Sequence, residues 1–240
     1  MPHCRLFLNT DLEVGHEASI PADQGHYLRH VMRMNSGDEI TVFNGHGGEY
    51  RSTISQLSKS RSCCLIEAFV DVEREMPIRI HIIQCANKSE KIETVIQKCT
   101  ELGVASFQIA NSERAQFKLV EKKLSARLDR WKKIIIEAAE QSERTAIPSL
   151  TWHPSIKSLQ TFGDAYTLHP KAVQQWQVIK NNIPTASDIT FAVGPEGGWS
   201  RRDLESLSNL GFAPLTFGPR VMRTETAAPA LAAAIQAILD

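Results

Sequence analysis

Two glycine-containing segments in the last third of the chain carry residue types that could build a ligand site. One is GPEGG at 194–198, directly after the apolar run DITFAV, and the other is GPRVMRTETA at 218–227. Glycine lets a backbone approach a ligand closely, Arg220 and Arg223 would stabilise negative charge, and Glu225 could accept a proton. A cation gains nothing from the N-terminus of a following helix, so these arginines predict an anionic or carbonyl-rich partner such as RNA.

A third loop of the same kind is LHP at 168–170. Each of the three loops follows a predicted strand, at 165–168, 188–193 and 215–217. Ligands of open α/β sheets bind outside the carboxyl ends of the strands. We therefore expect the three loops to lie together at one edge of a sheet and to form one site.

The motifs give no support to several common classes of enzyme. GPEGG is neither the GxGxxG dinucleotide fingerprint nor a Walker A loop, and no GxSxG nucleophile motif occurs. A structural explanation stays open for both segments. GPEGG can be a tight strand-to-helix turn, and RTETAA can be the polar start of the last helix, capped by Thr224 or Thr226. Trp199 can wall a pocket or stack on a base, whereas Trp131 and Trp176 fall on helical stripes and are expected in the core.

The histidine and cysteine pattern predicts neither a metal site nor disulfides. His26 and His30 are four residues apart, but no third ligand stands out, so we expect them to be surface or half-buried histidines. The five cysteines are odd in number and lack a CxxC pair. We expect all five to be reduced and mostly structural.

The composition is that of an ordinary globular chain. In 240 residues, 27 Lys and Arg balance 27 Asp and Glu, and 42% of the residues are hydrophobic, which argues against disorder. No apolar run approaches the length of a membrane span, and the start lacks the pattern of a secretory signal peptide. We expect a cytoplasmic protein without a membrane partner.

The balanced charge hides a basic stripe. Residues 1–72 carry 6 Lys and Arg against 9 Asp and Glu, whereas residues 113–133 carry 8 against 3. A local concentration of positive charge is typical of a phosphate-binding surface, although a solvated helix face has the same pattern.

The predicted elements divide the chain into two parts. Short strands at 39–44, 50–57 and 62–72, with glycine turns and one helix at 23–34, indicate a small barrel or sandwich in the first part. The polar segment EREMP at 73–77 ends in proline and is the predicted linker.

After residue 77, strands and helices alternate, which predicts a parallel α/β sheet with helices on both faces. The predicted strands are at 78–85, 104–110, 165–168, 188–193 and 215–217. The predicted helices are at 89–102, 119–142, 170–180, 200–209 and 227–239. Ser200 and Asp203 form a predicted capping box. The fold class is therefore α/β, with 78–240 as one domain and 1–72 as another.

Six stretches of the second part, together with the opening of the chain, carry a family resemblance. They are VIQKCTELGV at 95–104, SERAQFK at 112–118, RWKKIIIEAAEQSER at 130–144, LHP at 168–170, FAVGPEGGWS at 191–200, FGPRVMRTETAAPAL at 217–231, and YLRHVMR with GDEITVFNGHGGEY near the start. With these motifs the chain resembles the ribosomal RNA small subunit methyltransferase E family. These are SPOUT-class enzymes that use S-adenosylmethionine to methylate N3 of a uridine in 16S rRNA.

The resemblance implies a fold and partners. The second domain would be a SPOUT domain whose three loops form a deep C-terminal trefoil knot, and residues 1–72 would be a PUA-like β-barrel that helps to bind RNA. The cofactor would be S-adenosylmethionine, the partner 16S rRNA or the 30S ribosomal subunit, and the protein a homodimer. The alternatives are an RNA-binding ribosome-assembly factor without catalysis and a SPOUT methyltransferase that acts on another RNA.

The resemblance also assigns residues to the cofactor. The set comprises Leu168, His169, Pro170, Gly194, Pro195, Glu196, Gly197, Leu215, Phe217, Gly218, Val221, Met222, Arg223, Thr226 and Ala227. Phe217, Met222 and Trp199 depart from the usual residues of the family but replace apolar by apolar. They imply altered packing of the pocket and retained activity.

Catalysis and RNA binding complete the implied roles. Removal of the uracil N3 proton spreads charge onto O2 and O4, which an arginine can stabilise, and a carboxylate can serve as the base. The candidate catalytic residues are Arg223, Glu225 and Arg114, with Arg220 and Glu196 as further candidates. The candidate RNA-binding residues are Arg5, Arg29, Arg33, Arg114, Lys118, Lys122, Lys123, Arg144 and Arg220. No metal ligand is expected.

Overall fold

The computed structural model describes residues 4–117, 119 and 124–239. Their contacts separate into two units. The first runs up to Glu75 and includes Ala139–Ile147, and the second comprises Met76–Ala138 and the chain from Pro148 onward. Residues 139–147 join the first unit although they follow the second unit's first helices in sequence, and no local pattern foretold this.

The first unit is built on one five-stranded sheet, which confirms the predicted β-rich character of the first third. Its strands are β1 (Arg5–Phe7), β2 (Glu17–Ser19), β3 (Glu39–Phe43), β4 (Glu49–Leu57) and β5 (Ser62–Val70), and its helix is α1 (Ala22–His30). The strand order is β1-β3-β4-β5-β2, with β1 parallel to β3 and the other pairs antiparallel. Strand β2, only three residues long, was not predicted.

Two arginines that were candidate RNA ligands lie inside the first unit. Arg5 is buried, its Nε donates to Glu49 at 3.2 Å, and its guanidinium carbon lies 3.9 Å from the ring centre of Phe43. Arg144 is also buried, and its Nε donates to the carboxylate of Glu75 at 3.1 Å. A buried cation already bonded to a carboxylate is not available to a phosphate. We therefore leave both arginines out of the RNA surface proposed below.

The second unit contains a six-stranded sheet in which all strands are parallel, as predicted for an α/β fold. The strands are β6 (Arg79–Cys85), β7 (Ser106–Ala110), β8 (Ser149–His153), β9 (Asp164–Leu168), β10 (Asp188–Val193) and β11 (Ala213–Leu215), in the order β11-β9-β10-β6-β7-β8. The interior strand β10 is buried from Ile189 to Val193, as expected where helices cover both faces of a sheet.

The helices of the second unit connect these strands. They are α2 (Ser89–Glu101), α3 (Leu124–Gln141, whose last residues group with the first unit), α4 (Trp176–Ile179), α5 (Arg201–Asn209) and α6 (Thr224–Leu239), with short 3₁₀ turns at Ile156–Ser158 and Ile183–Thr185. Helix α2 packs against α6. Helix α5 begins with the predicted capping box, because Asp203 N–H donates to the Ser200 hydroxyl at 3.0 Å and Ser200 N–H donates to the Asp203 carboxylate.

The segment from Pro170 to Lys180 was predicted as a helix, and this prediction is wrong for most of it. Only Trp176–Ile179 is helical. The backbone groups of Gln174 and Trp176 are hydrogen-bonded to Thr216 instead. Thr216 N–H donates to Gln174 O at 2.8 Å, and Thr216 O accepts from Trp176 N–H at 2.9 Å. Helical periodicity cannot reveal a partner some forty residues away. Trp176 itself is half-buried against Phe217, whereas Trp131 is fully buried as predicted.

Among the described residues, the cysteines, the histidines and the apolar helices indicate neither a metal site nor a membrane span. All five cysteines are free and buried, in agreement with their predicted structural role. His26 and His30 are exposed, with ring centres 4.3 Å apart. Within the described ranges, no group of three or more potential ligand side chains is placed to hold a metal ion. Across the same ranges, none of the helices is long and apolar enough to cross a membrane.

Candidate active site

The three loops predicted to form a site follow adjacent strands of the parallel sheet. Strands β11, β9 and β10 are neighbours and run in one direction, so their carboxyl ends at Leu215, Leu168 and Val193 lie at the same edge. The loop after β9 is bonded directly to the end of β11, because His169 N–H donates to Leu215 O at 2.9 Å. The predicted convergence of these strand ends is confirmed.

Trp199 joins the loop after β10 to the loop after β9. Its indole ring is buried, and its Nε1 donates to Leu168 O at 3.1 Å. A Cβ placed on Gly194 would lie 3.0 Å from the Trp199 ring, closer than nearly all real Cβ contacts. Close packing against the Trp199 ring therefore favours glycine at position 194. Trp199 is a buried residue that links two loops of the site, and its ring is not an exposed stacking surface.

Thr224 connects the loop after β10 to the start of α6. Its hydroxyl donates to Gly194 O at 2.9 Å and accepts from Gln84 Nε2 at 2.8 Å. Both Thr224 and Gln84 are buried. The chain Gln84–Thr224–Gly194 fixes β6, the glycine loop and α6 relative to one another. Helix α6 accordingly begins at Thr224, three residues before the predicted start.

A cluster of charged side chains lies beside these loops. Lys91 of α2 forms ion pairs with Glu196 of the loop after β10 and with Glu225 of α6, the latter at 3.4 Å. Arg223 lies next to it, with 3.9 Å between its guanidinium and the other oxygen of Glu225. The Lys91 ammonium lowers the pKa of Glu196 from its ordinary value by hydrogen bonding. Two of the predicted candidates for the base, Glu196 and Glu225, thus share one cation.

The SER segment at 112–114 reaches the same loop from β7. The Arg114 guanidinium donates to Trp199 O at 3.3 Å, and a Cβ on Gly197 would lie 3.3 Å from Arg114 O. Glu113 N–H donates to the Asp203 carboxylate at 3.2 Å, so the segment is attached to the start of α5. Arg114 is exposed despite its hydrogen bond, which leaves part of its guanidinium open to a ligand.

The predicted cofactor residues fall into two groups by exposure. Pro195, Leu215 and Ala227 are buried. The others are half-buried or exposed, and they comprise Leu168, His169, Pro170, Gly194, Glu196, Gly197, Phe217, Gly218, Val221, Met222, Arg223 and Thr226. Val221 is 79% exposed and the Arg223 side chain is 82% exposed. Both side chains are therefore accessible from solvent.

Several buried polar atoms near this edge have no hydrogen-bond partner among the described residues. They include Oε1 of Gln84, the next-to-last residue of β6, Oγ1 of Thr167, the next-to-last residue of β9, and Oε2 of Glu225, which has only its ion pair with Lys91. A buried acceptor or hydroxyl without a partner is costly, so these atoms fit a site that takes up a polar ligand or water. Gly218 has φ +72°, and a Cβ on it would meet no atom within 4 Å, so the loop there is open.

The remaining candidate RNA residues are at the surface where the structure describes them. In the first unit, Arg33 is exposed with φ +55°, and Arg29 is half-buried with its Nε donating to Gly25 O. In the second unit, Arg220 is exposed. Lys118, Lys122 and Lys123 lie outside the described residues.

The sequence reasoning missed two residues of this site, Gln84 and Lys91, and did not predict that Trp199 links two of its loops. Lys91 carried a usable signal, because it lies in the first turn of α2, where the helix dipole disfavours a cation. Gln84 carried a weaker one, as a polar residue near the end of a largely apolar strand. Neither signal could have named the partners, which lie more than a hundred residues away.

Comparison with known proteins decides the family. The RNA methyltransferase domain family matches residues 74–236, and the RNA methyltransferase PUA domain family matches residues 20–67. The chain is 33% identical to ribosomal RNA small subunit methyltransferase E of Bacillus subtilis, over 87% of this chain and 85% of that protein. The chain belongs to the ribosomal RNA small subunit methyltransferase E family. A relative of the same name from Synechocystis is 31% identical, over 98% of this chain and 78% of its own length.

Solved structures agree with the family assignment. A ribosomal RNA small subunit methyltransferase E from Neisseria gonorrhoeae, bound to S-adenosylmethionine, superposes with a TM-score of 0.86 at 30% identity, covering 98% of both chains. A protein described as a methyltransferase from Legionella pneumophila, with bound cofactor SAM, gives a TM-score of 0.89 at 32% identity, covering 99% of this chain and 98% of that one. The predicted family, fold class and enzyme class are confirmed. The trefoil knot stays a prediction.

Proposed function

We propose that this protein transfers the methyl group of S-adenosylmethionine to N3 of a uridine in 16S rRNA of the small ribosomal subunit. The observation that carries the proposal is the joining of three strand-end loops at one sheet edge by Trp199, Thr224 and Lys91 in a chain of this family. The cofactor assignment is supported by the relatives that were solved with S-adenosylmethionine bound.

The loops fit a cofactor that has an adenine and a charged tail. Phe217 and Met222 are half-buried and offer apolar surface for the adenine, while the backbone around Gly218 is open and can hydrogen-bond its edge. The unpartnered Gln84 Oε1 and Thr167 Oγ1 offer buried polar contacts. When bound, S-adenosylmethionine supplies an electrophilic methyl group on a sulfonium sulfur. The loops hold it in line with the acceptor, and such alignment supplies several kcal/mol of the barrier.

The acceptor nitrogen sets the demands on the side chains. Uracil N3 carries a proton at neutral pH, so a base must take that proton as the N3–carbon bond forms and the carbon–sulfur bond breaks with its electron pair left on sulfur. We assign the base to Glu225, and the stabilisation of charge on O2 and O4 to Arg223 and Arg114. The three side chains are supported by their places beside the glycine loops.

RNA phosphates would be held by exposed and half-buried arginines of the two units. Arg29 and Arg33 of α1 and its following turn, and Arg114 and Arg220 of the second unit, remain in the proposed set. Lys118, Lys122 and Lys123 belong to it by sequence alone. Phosphate contacts make affinity fall with salt. Charge reversal of Lys122 and Lys123 together should weaken RNA binding and leave cofactor affinity intact. If RNA affinity and cofactor affinity fell equally, the result would contradict the assignment.

We further propose a homodimer that acts in the cytoplasm. Val173, Val178 and Val221 of the second unit are exposed apolar side chains, and apolar surface of this kind is what a second copy would bury. Sedimentation equilibrium at micromolar protein measures the mass directly. A monomer at all concentrations would overturn the dimer without touching the chemistry.

The decisive test of the function is mass mapping of methylated nucleosides in 16S rRNA from cells with and without the gene. We expect one 3-methyluridine to disappear on deletion and to return with the wild-type gene. An unchanged set of methylated nucleosides would overturn the proposal. Binding of RNA with no binding of S-adenosylmethionine at millimolar concentration would favour the assembly factor instead, and a ribose 2′-O-methyl product would favour the other SPOUT activity.

A further inference from the structure

Lys91 occupies a position where a lysine is electrostatically unfavourable. It lies in the first turn of α2, which begins at Ser89, and the positive end of the helix dipole disfavours a cation there. Its long side chain is nevertheless largely covered, with 26% of its surface exposed. A partly covered cation at a helix N-terminus requires compensation from nearby anions, and the structure places two of them beside it.

The two anions come from segments far apart in the chain. Lys91 Nζ is paired with Glu196 Oε1 and lies 3.4 Å from Glu225 Oε2, and these glutamate side chains are 33% and 19% exposed. The other polar and charged groups that face the carboxylates are Asn87 and Lys88 near Glu196 and Arg223 near Glu225. Lys91 is the cation that contacts both carboxylates among the described residues.

This arrangement determines what happens if the ammonium is removed. Two carboxylates that share a half-buried site repel each other, and one of them then holds a proton more tightly. Arg223 is mostly exposed and 3.9 Å away, so solvent screens its charge. It cannot replace the contact that Lys91 makes. The hydrogen bond from Lys91 lowers the pKa of Glu196, and the paired carboxylates raise the pKa of Lys91, so the charged forms of Lys91 and Glu196 stabilise each other.

We propose that Lys91 is a positioning residue of the methyl transfer: its ammonium lies between the Glu196 and Glu225 carboxylates, offsets their repulsion and so leaves Glu225 available to take the N3 proton. The inference rests on the proposed function and names a residue that acts through the base. Lys91 does not contact the reacting atoms. Its role is to place one positive charge between two negative ones at the junction of α2, the loop after β10 and α6.

The test compares Lys91→Met with the wild-type protein in methylation of unmodified small ribosomal subunits between pH 6 and pH 8. Both enzymes share the ionisation of the uracil imide, so the ratio of their kcat/KM values isolates the enzyme's own groups. We expect this ratio to fall roughly threefold or more from pH 8 to pH 6, because a carboxylate without its cation takes up a proton at higher pH. A ratio that is low but equal at both pH values would overturn the proposal and leave Lys91 a structural contact.

Three further variants separate charge from folding. Lys91→Arg retains the cation and should show a ratio independent of pH. The double variant Lys91→Met with Glu196→Gln removes the repulsion and should also lose the pH dependence; a double variant that keeps it would contradict the mechanism. Lys98→Met is the matched control, because Lys98 lies on the same helix and pairs only with Glu101 in the contacts described. Wild-type protein that fails to methylate the subunits would overturn the proposed function itself, and the inference with it.

Discussion

The hydroxyl of Thr224 donates a hydrogen bond to the carbonyl oxygen of Gly194 at 2.9 Å. The same hydroxyl accepts from the Gln84 side chain at 2.8 Å, so one buried side chain links strand β6, the loop after β10 and the first turn of α6. Thr224 is therefore more than the helix cap that its position in RTETAA indicated. It sets the distance between the two glycine loops that we assign to the cofactor.

Thr224→Val keeps the shape of the side chain and removes both hydrogen bonds. It leaves the half-buried carbonyl of Gly194 and the buried amide of Gln84 without this partner, so we expect the free energy of unfolding to fall by about 1–3 kcal/mol. S-adenosylmethionine affinity should fall as well. Denaturant unfolding and calorimetry measure the two effects. Thr94→Val on the exposed face of α2 is the control, with an expected change within about 0.5 kcal/mol. Equal effects of the two substitutions would contradict the linking role.

Gly194→Ala should disturb the site through Trp199. The new Cβ would lie 3.0 Å from the indole ring, and overpacking of this kind costs typically about 1–3 kcal/mol. Trp199→Phe removes part of the ring along with the hydrogen bond to Leu168 O. The double variant should therefore be more stable than the sum of the single effects predicts. Strict additivity in the unfolding free energies would show that the clash is not with Trp199.

Arg223→Ala tests the assignment of charge stabilisation. Because the side chain is 82% exposed, its loss should leave the free energy of unfolding within about 0.5 kcal/mol of wild type. Removal of one oxyanion-stabilising donor lowers kcat by about 10²–10³-fold in other enzymes, and we expect a loss approaching that range. Arg201 is another exposed arginine, at the first position of α5, and Arg201→Ala should retain full activity. Methylation by Arg223→Ala within a few-fold of wild type would remove Arg223 from the mechanism.

Stability should fall with acid through His81, at the opposite edge of the sheet. His81 lies buried between Ser106 at 2.7 Å and Asp188 at 2.9 Å, and burial lowers the pKa of its imidazole. The unfolded chain therefore binds more protons as pH falls through about 6.5, the ordinary histidine value, and the free energy of unfolding must decrease there. Arg79 and His81 hold the pKa of Asp188 well below its usual range, so its contribution is lost only at far lower pH.

The measurement is denaturant unfolding of wild type and His81→Gln at pH 7.5 and pH 5.5. The variant is expected to lose less stability on acidification than the wild type does. His16→Gln, at an exposed position, should behave like the wild type. A pH dependence that is the same in all three proteins would rule out His81 as its source.

Much of the fold could be predicted from local sequence patterns, because several helices and strands are defined by residues within their own segments. Strand β10 begins and ends where predicted, since DITFAV is apolar after its first residue except at Thr190 and is bounded by loops. Helix α5 begins at its capping box, whose two residues lie three apart. The missed strand β8, Ser149–His153, is an edge strand that pairs only with β7, and its identity depends on that neighbour.

The location of the site could be predicted from the sequence, but most of the contacts within it could not. The rule that ligands bind beyond strand ends is enough to predict the three loops from the sequence. The ion pair of Lys91 with Glu196 and the chain from Gln84 to Gly194 join residues over a hundred positions apart or on different elements. Arg5 and Arg144 were misjudged for the converse reason, because a basic residue in a sequence does not reveal that a buried carboxylate already holds it.

The central claim is that the loops at 168–170, 194–198 and 218–227 together hold the methyl donor. A crystal structure of this protein grown with millimolar S-adenosylmethionine tests it most directly. The account predicts cofactor density in contact with all three loops, with the adenine against Phe217 and Met222. Density at another edge of the sheet, or none at these loops, would contradict the account.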